Sequence, residues 1–293
     1  MPLLAVLAYG TALRVGFLSD DFVLLSQSRF WATDLRTWLP FQDYFFYRPV
    51  ATVLTWVVGY FAWDANPLPY HILGLLLHAG VALLLGLWLA EATGRPQLGQ
   101  LAGAIFAVYP LHMEAVGWLA AQFDLWATLF AVGSLFLFTA WWRRGGVRRY
   151  GVAVLLYMLA LLSKESVMTF PVLFAAAAWL ATPRLDRTAV RRLGLALVPF
   201  AVVLAGSVGL RYAIWGRLGN YPWLRTDYPN FLWDSLFADL RILLVPLNKT
   251  ILPLFAAQTL GVLVVAGLLT ALVLVGYPAR RALLIAAVWL LTT

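Results

Sequence analysis

The run from Leu68 to Ala90, LPYHILGLLLHAGVALLLGLWLA, contains no Asp, Glu, Lys or Arg. As a helix rising 1.5 Å per residue, it covers the roughly 30 Å hydrocarbon core of a bilayer, which is longer than a soluble core helix needs. Similar runs recur along the chain. Hydrophobic residues make up 63% of it and charged residues 12%, with a mean hydropathy of +0.84. The runs are helix-length and do not alternate at period two, which points to spanning helices and excludes a β-barrel. The predicted fold class is therefore all-α: a polytopic integral membrane protein forming a single domain over 1–293. There is no room for a sizeable soluble domain and no Ser/Gly-rich linker. The opening run, Met1 to Phe17, lacks the basic n-region and small-residue cleavage site of a signal peptide, so it reads as a retained span. It begins abruptly, and the chain stops at AVWLLTT inside another apolar run. Truncation at either end is therefore an open expectation.

Charge placement sets the topology. The net charge is +8, but the arginines gather in short clusters between apolar runs, as the positive-inside rule expects. None forms a basic stripe with interleaved aromatics, so a nucleic-acid partner has no support. The densest clusters, RRGGVRR (Arg143 to Arg149) and PRLDRTAVRR (Pro183 to Arg192), belong on the cytoplasmic side. One straight helix between them would put them on opposite faces. A hairpin turning at Ser163–Ser166 keeps both inside and sends Lys164 and Glu165 outward. Each arm is then ~15 residues, or ~22 Å, so Lys164 is expected slightly below the outer surface.

By the same parity, Pro49 to Trp63 reads as an outer juxtamembrane helix. Leu68–Ala90 runs inward, Leu98–Val108 outward and Leu125–Trp142 inward, with Tyr109–Asp124 exposed outside. Leu193–Trp215 runs outward. Leu232–Pro246, with Asp234, Asp239 and Arg241, reads as a re-entrant or surface helix. Gln258–Tyr277 then runs inward and places Arg280 and Arg281 inside. The prediction is about nine crossings, with a first outer loop over about 18–67.

Four polar islands then share the outer face: Asp20/Asp21, the Tyr47–Pro49 stretch around Arg48, the His112/Glu114/Asp124 group, and Lys164/Glu165. Ionisable groups close to a bilayer are costly unless they serve a cavity, which makes each a candidate. Adjacent carboxylates repel one another unless something binds them, so Asp20 and Asp21 stand out. His112 and Glu114, two apart, suit a turn entering a cleft. They read equally as a hydrogen-bonded pair or as part of a divalent-metal site with Asp20 or Asp124. His71 and His78 are seven apart and lie on one helix face; His78 reads as a bundle-facing hydrogen-bonder and His71 as lining the cleft. Fourteen Trp and twelve Tyr suit interfacial belts as well as a sugar-stacking cleft. Absent cysteines exclude disulfides, thiolate metal sites and a Cys nucleophile. No Walker loop, dinucleotide fingerprint or HExxH is present, and Asn248–Thr250 is a sequon read as a turn.

In order, SDDF, YRPV, YHILGLLLHA, YPLHMEAVGWLAAQFDLWATLF and LLSKES resemble the GT-C membrane glycosyltransferases. The branch is the protein O-mannosyltransferase-like proteins that in other members carry tetratricopeptide repeats. The match runs from about residue 17 to 181 and continues beyond 190 only as general layout. The resemblance implies a GT-C-like helical bundle in the cell membrane, with a cleft facing away from the cytoplasm. There a sugar would pass from a polyprenyl-phosphate donor to an acceptor hydroxyl, on protein Ser/Thr or on a glycan. It also implies that the first-loop aspartate pair, here Asp20 and Asp21, is the catalytic signature. Two departures stand out. Tyr109-Pro110 replaces the frequent His-Pro, and Gln122 stands where an Arg tends to precede the aspartate by two. No tetratricopeptide repeats occur in these residues.

The chemistry asks for a carboxylate near the attacking hydroxyl and cations on the departing phosphate. Asp20, slightly preferred, or Asp21 is the expected base, and Arg48 and Lys164 the phosphate-binding cations. His112, Glu114, Asp124, Glu165 and His71 are expected to bind sugar or acceptor, or to support the site. The alternatives are transfer to a lipid or cell-wall glycan, and a polyprenyl-lipid flippase. The flippase predicts midplane ionisables and an inverted repeat. No such repeat is evident.

Overall fold

The computed structural model describes residues 1–34, 46–182 and 186–216, all within one compact unit, Met1–Asn220. The expectations for Leu232–Pro246, Asn248–Thr250, Gln258–Tyr277 and Arg280/Arg281 lie outside the described residues. Among the described residues there is no strand.

Helices α1 (Pro2–Tyr9), α2 (Asp20–Thr33) and α3 (Pro49–Ala62) precede the long elements. They are followed by α4 (Pro67–Thr93), α5 (Pro96–Val108), α6 (Gln122–Arg144), α7 (Val147–Leu161), α8 (Phe170–Ala181) and α9 (Arg187–Trp215). Their boundaries follow local chemistry. Asn66 caps α4 by accepting the Leu68 N–H at 3.2 Å, Pro67 opens the helix, and Gly94 closes it at φ 69, a left-handed conformation that glycine adopts without steric cost. Asp186 caps α9 by accepting the Ala189 N–H at 2.7 Å.

Three helical segments are long and apolar enough to cross a membrane: Pro67–Thr93, Leu119–Arg144 and Arg187–Ile214. Among the described residues, the other segments expected to cross are helical but shorter. The hairpin at 163–166 is present, with arms of 15 and 12 residues in α7 and α8. The described residues thus show three helices of sufficient length and shorter apolar ones such as Pro2–Arg14 and Glu165–Ala181, not nine full crossings.

Packing aligns the helices so that charge separates to two ends. At one end Glu91, on the last turns of α4, pairs with Arg144 of α6 at 2.8 Å, and the Arg192 guanidinium of α9 lies 4.4 Å from the Trp142 ring centroid. At the other end Gln122, opening α6, donates to the Tyr70 carbonyl of α4 at 2.6 Å. α4 and α6 therefore run the same way, and α5 returns along α4. That return is tight: a Cβ on Gly99 would sit 2.2 Å from the Gly86 carbonyl oxygen, so only the missing side chain lets the two backbones touch. Within the bundle, Trp88 donates to Thr139 at 3.1 Å and Ser134 to the Ala153 carbonyl at 2.6 Å, so these polar groups are satisfied internally.

Candidate active site

Residues 15–18 lead into Ser19, whose φ of 44° and ψ of −114° place a non-glycine residue in a sparsely populated region. Such strain persists only where surrounding contacts over-determine it. Helix α2 starts at the next residue and splits the aspartate pair. Asp21 is fully buried. Its Oδ2 accepts the Leu18 N–H at 2.8 Å, its own N–H donates back to the Leu18 carbonyl at 2.9 Å, and its Oδ1 accepts the Ala120 N–H at 2.7 Å. The first two bonds close the turn that leads into the helix. The third ties α2 to the turn that opens α6. Burial pushes the Asp21 carboxyl pKa up, and the amide donors and nearby His71 pull it part of the way back. Asp20 is exposed, with the Ser19 hydroxyl donating to its Oδ1 at 3.3 Å. The like-charge repulsion that marked the pair is therefore relieved by pointing the two carboxylates differently. One becomes a structural anchor and the other stays in the open.

The segment that Asp21 grips, 119–124, also supports the cations. Asp124, on the first turn of α6, pairs with Lys164 Nζ at 2.6 Å. Beside Lys164, Glu165 accepts from Arg48 Nε at 3.1 Å and Nη2 at 2.5 Å. The Arg48 guanidinium carbon lies 4.4 Å from the Phe46 ring centroid and 5.5 Å from that of Phe123. The sequence assigned Arg48 and Lys164 to phosphate and Asp124 and Glu165 to sugar, as separate groups; the fold pairs them off. A phosphate arriving here shares or displaces a carboxylate. α3 is held close by the Val50 N–H donating to the Leu162 carbonyl at 3.2 Å, and by Trp126 Nε1 donating to Thr55 at 2.9 Å. Thr52–Val57 within α3 is wound as a wide π-type turn, a feature frequent near functional sites.

Three expectations need correction. His71 does not line a cleft: it is fully buried in α4, close enough to Asp21 for the two to interact electrostatically. Helical period placed it on one face with His78 but could not say which neighbour covers that face. His112 turns back towards the bundle, with its Nδ1 3.0 Å from the Phe106 carbonyl and its ring 5.1 Å from that of His78. Burial and the neighbouring imidazole lower its pKa to about 4. Glu114 is exposed on the turn that follows. Asp20, His112 and Glu114 do not assemble: among the described residues no group of three or more His, Asp or Glu side chains is placed to hold a metal ion. Asp20, His112 and Glu114 as placed therefore do not make a divalent-cation site. Gln122, where the family pattern tends to have Arg, is a buried bridge between Tyr70 and Thr55.

One residue escaped the sequence reading. Arg211 of α9 is 4% exposed, with Nη1 3.5 Å from Glu165 Oε2 and Nη2 donating to the Leu161 carbonyl at 3.3 Å. Its signal was there: a lone cation late in an otherwise apolar run, SVGLRYAIW, which near a membrane asks for a partner.

Similarity to known proteins agrees with the motif pattern. Over 185 residues the chain is 32% identical to protein O-mannosyl-transferase Tmtc1 of Drosophila melanogaster, covering 57% of this chain and 21% of the fly protein. It is 29% identical over 146 residues to protein O-mannosyl-transferase TMTC3 of Homo sapiens, covering 45% of this chain and 15% of that protein. It is 27% identical over 230 residues to human protein O-mannosyl-transferase TMTC4, covering 66% of this chain and 30% of that one. The chain thus spans less than a third of the length of each. No protein-family model matches it, and no solved structure matches it significantly. The resemblance to protein O-mannosyltransferases is borne out by these relatives.

Proposed function

We propose that this chain is the membrane-embedded catalytic part of a glycosyltransferase that moves a sugar from a polyprenyl-phosphate carrier to a protein Ser/Thr hydroxyl on the extracytoplasmic side. The observation that carries this reading is the division of labour at the start of α2. An exposed carboxylate, Asp20, is held beside a buried one that anchors it to the 119–124 segment, where Asp124 pairs with Lys164 and the Phe123 ring lies beside Arg48, itself paired with Glu165. The names of the relatives support a mannosyl transfer to protein.

In this mechanism the acceptor hydroxyl donates its hydrogen bond to Asp20. As the hydroxyl oxygen attacks the anomeric carbon, its proton passes to the Asp20 carboxylate and the bond from that carbon to the phosphate oxygen breaks. The products are the O-glycosylated protein, with the anomeric centre inverted, and the free polyprenyl phosphate. Lys164 and Arg48 take up the charge that accumulates on the leaving phosphate, loosening their bonds to Asp124 and Glu165 as they do so. Preorganised cations of this kind are worth most where water is thin. The carrier's tail lies against the short arms α7 and α8, whose Leu155, Met158 and Val172 are exposed apolar side chains.

The test is turnover of a panel of polyprenyl-phosphate sugars with a Ser/Thr peptide acceptor in liposomes, for the wild-type chain and Asp20→Asn. Removing a general base typically costs about 10²–10⁴ in rate. The expected result is that Asp20→Asn loses turnover on that scale while still binding carrier. Turnover indifferent to Asp20, or no turnover with any donor, refutes the assignment.

A further inference from the structure

We infer that Arg211 is a positioning residue for the donor phosphate, acting on Arg48 through Glu165. The inference rests on the reading of Arg48 as a phosphate-binding cation and adds a residue that neither the motifs nor the resemblance supplied. A continuous series of contacts carries it. The Leu161 carbonyl, at the end of α7, accepts from Arg211 Nη2 at 3.3 Å, and Arg211 Nη1 lies 3.5 Å from Glu165 Oε2. Glu165 in turn engages the Nε and Nη2 edge of Arg48 at 3.1 and 2.5 Å. An arginine presents its donors as a rigid planar fork, so a two-point bond along one edge fixes the plane of the guanidinium. The Phe46 and Phe123 rings hold that plane as well.

On its other side the Glu165 carboxylate meets a buried cation. Arg211 is 4% exposed and cannot shed its charge. Glu165, with its side chain 23% exposed, sits between the guanidinium of Arg211, 4% exposed, and that of Arg48, 10% exposed. Arg211 therefore fixes Glu165, and Glu165 aims Arg48. A phosphate that competes for Arg48 meets a carboxylate whose negative charge is already shared with a second cation, which eases its partial release. Arg211 comes from α9 and Arg48 from the start of α3, so the series also couples the placement of α9 to the geometry of the phosphate site.

The experiment is a double-mutant cycle on binding, independent of turnover, with farnesyl phosphate as the probe and the protein in nanodiscs. Variants are Arg211→Gln, Arg211→Lys, Glu165→Gln, Arg48→Gln and Arg211→Gln/Arg48→Gln, each measured well below its unfolding temperature. Arg211→Gln is expected to weaken binding roughly tenfold, within the range for coupled neighbours, with partial recovery in Arg211→Lys. In the Arg48→Gln background, removing Arg211 should add almost nothing, because its effect travels through Arg48. If Arg211→Gln does not fold, Arg211→Lys, which keeps the charge but loses the planar fork, carries the test: binding weaker than wild type, with the difference vanishing in the Arg48→Gln background. Multiplicative losses in the double variant, or unchanged binding in Arg211→Gln with only a lower unfolding temperature, overturn the inference while leaving the donor reading in place. A wild-type protein that fails to bind the probe overturns both.

Discussion

Replacing Asp21 tests the division between the two aspartates more directly than any activity assay. Asp21 accepts two backbone N–H bonds, from Leu18 at 2.8 Å and Ala120 at 2.7 Å, and is fully buried. A hydrogen bond to a charged group contributes roughly 1.5–3 kcal/mol net, so the pair is worth roughly 3–6 kcal/mol before the cost of burying the carboxylate is subtracted. That cost is real, since burial raises the Asp21 pKa. Asp21→Ala should therefore destabilise the fold by about 2–4 kcal/mol. Asp21→Asn should cost less, about 1–3 kcal/mol, because its carbonyl keeps one amide while its NH2 opposes the other. Asp20 is exposed and has only the Ser19 hydroxyl beside it. Asp20→Asn should stay within about 0.5 kcal/mol of wild type.

The assay is thermal unfolding in one detergent at one scan rate, followed by tryptophan fluorescence. The pH dependence adds a sign. A carboxyl whose folded-state pKa lies above its ordinary value binds its proton more tightly folded than unfolded. Its contribution to stability is greatest at low pH and is lost as pH rises through the folded value. Wild type should thus gain on Asp21→Asn as pH falls from neutral. An Asp20→Asn protein as unstable as Asp21→Ala, or an Asp21→Ala protein that melts with wild type, would refute the reasoning.

Two further outcomes follow from the packing. Gly99→Ala puts a methyl group 2.2 Å from the Gly86 carbonyl, so the unfolding temperature should fall by the equivalent of about 1–3 kcal/mol; an unchanged melting curve would mean α4 and α5 do not pack this closely. Burial and His78 hold the His112 pKa at about 4 against an ordinary 6.5, so its contribution is complete above 6.5 and is lost as pH falls through that window. Wild type should lose more thermal stability than His112→Phe between those two pH values, and parallel curves would show that His112 is not held neutral.

The helical runs were legible because a bilayer leaves an apolar chain so few options. Length and charge alone placed α4, α6 and α9, and the basic clusters predicted the hairpin of α7 and α8. The pairings were not legible. Glu165 meets Arg48 across 117 positions and Lys164 meets Asp124 across 40. Nothing local in either segment encodes such a partner, so four residues read as two functional groups became two ion pairs. His71 failed for a related reason: periodicity names a face of a helix, and only the tertiary fold decides whether that face is a cleft or a core.

The aspartate pair shows where local geometry does constrain function. Both residues fall in the first turn of α2, and consecutive residues on a helix point about 100° apart. Two adjacent carboxylates at a helix start therefore cannot serve the same neighbour. Once Asp21 turns inward to take the Leu18 and Ala120 amides, Asp20 is left facing out, next to the strained Ser19 that delivers it there. The buried carboxylate fixes the turn that carries the exposed one, and setting Asp20 inward in place of Asp21 would require the helix to begin one residue earlier.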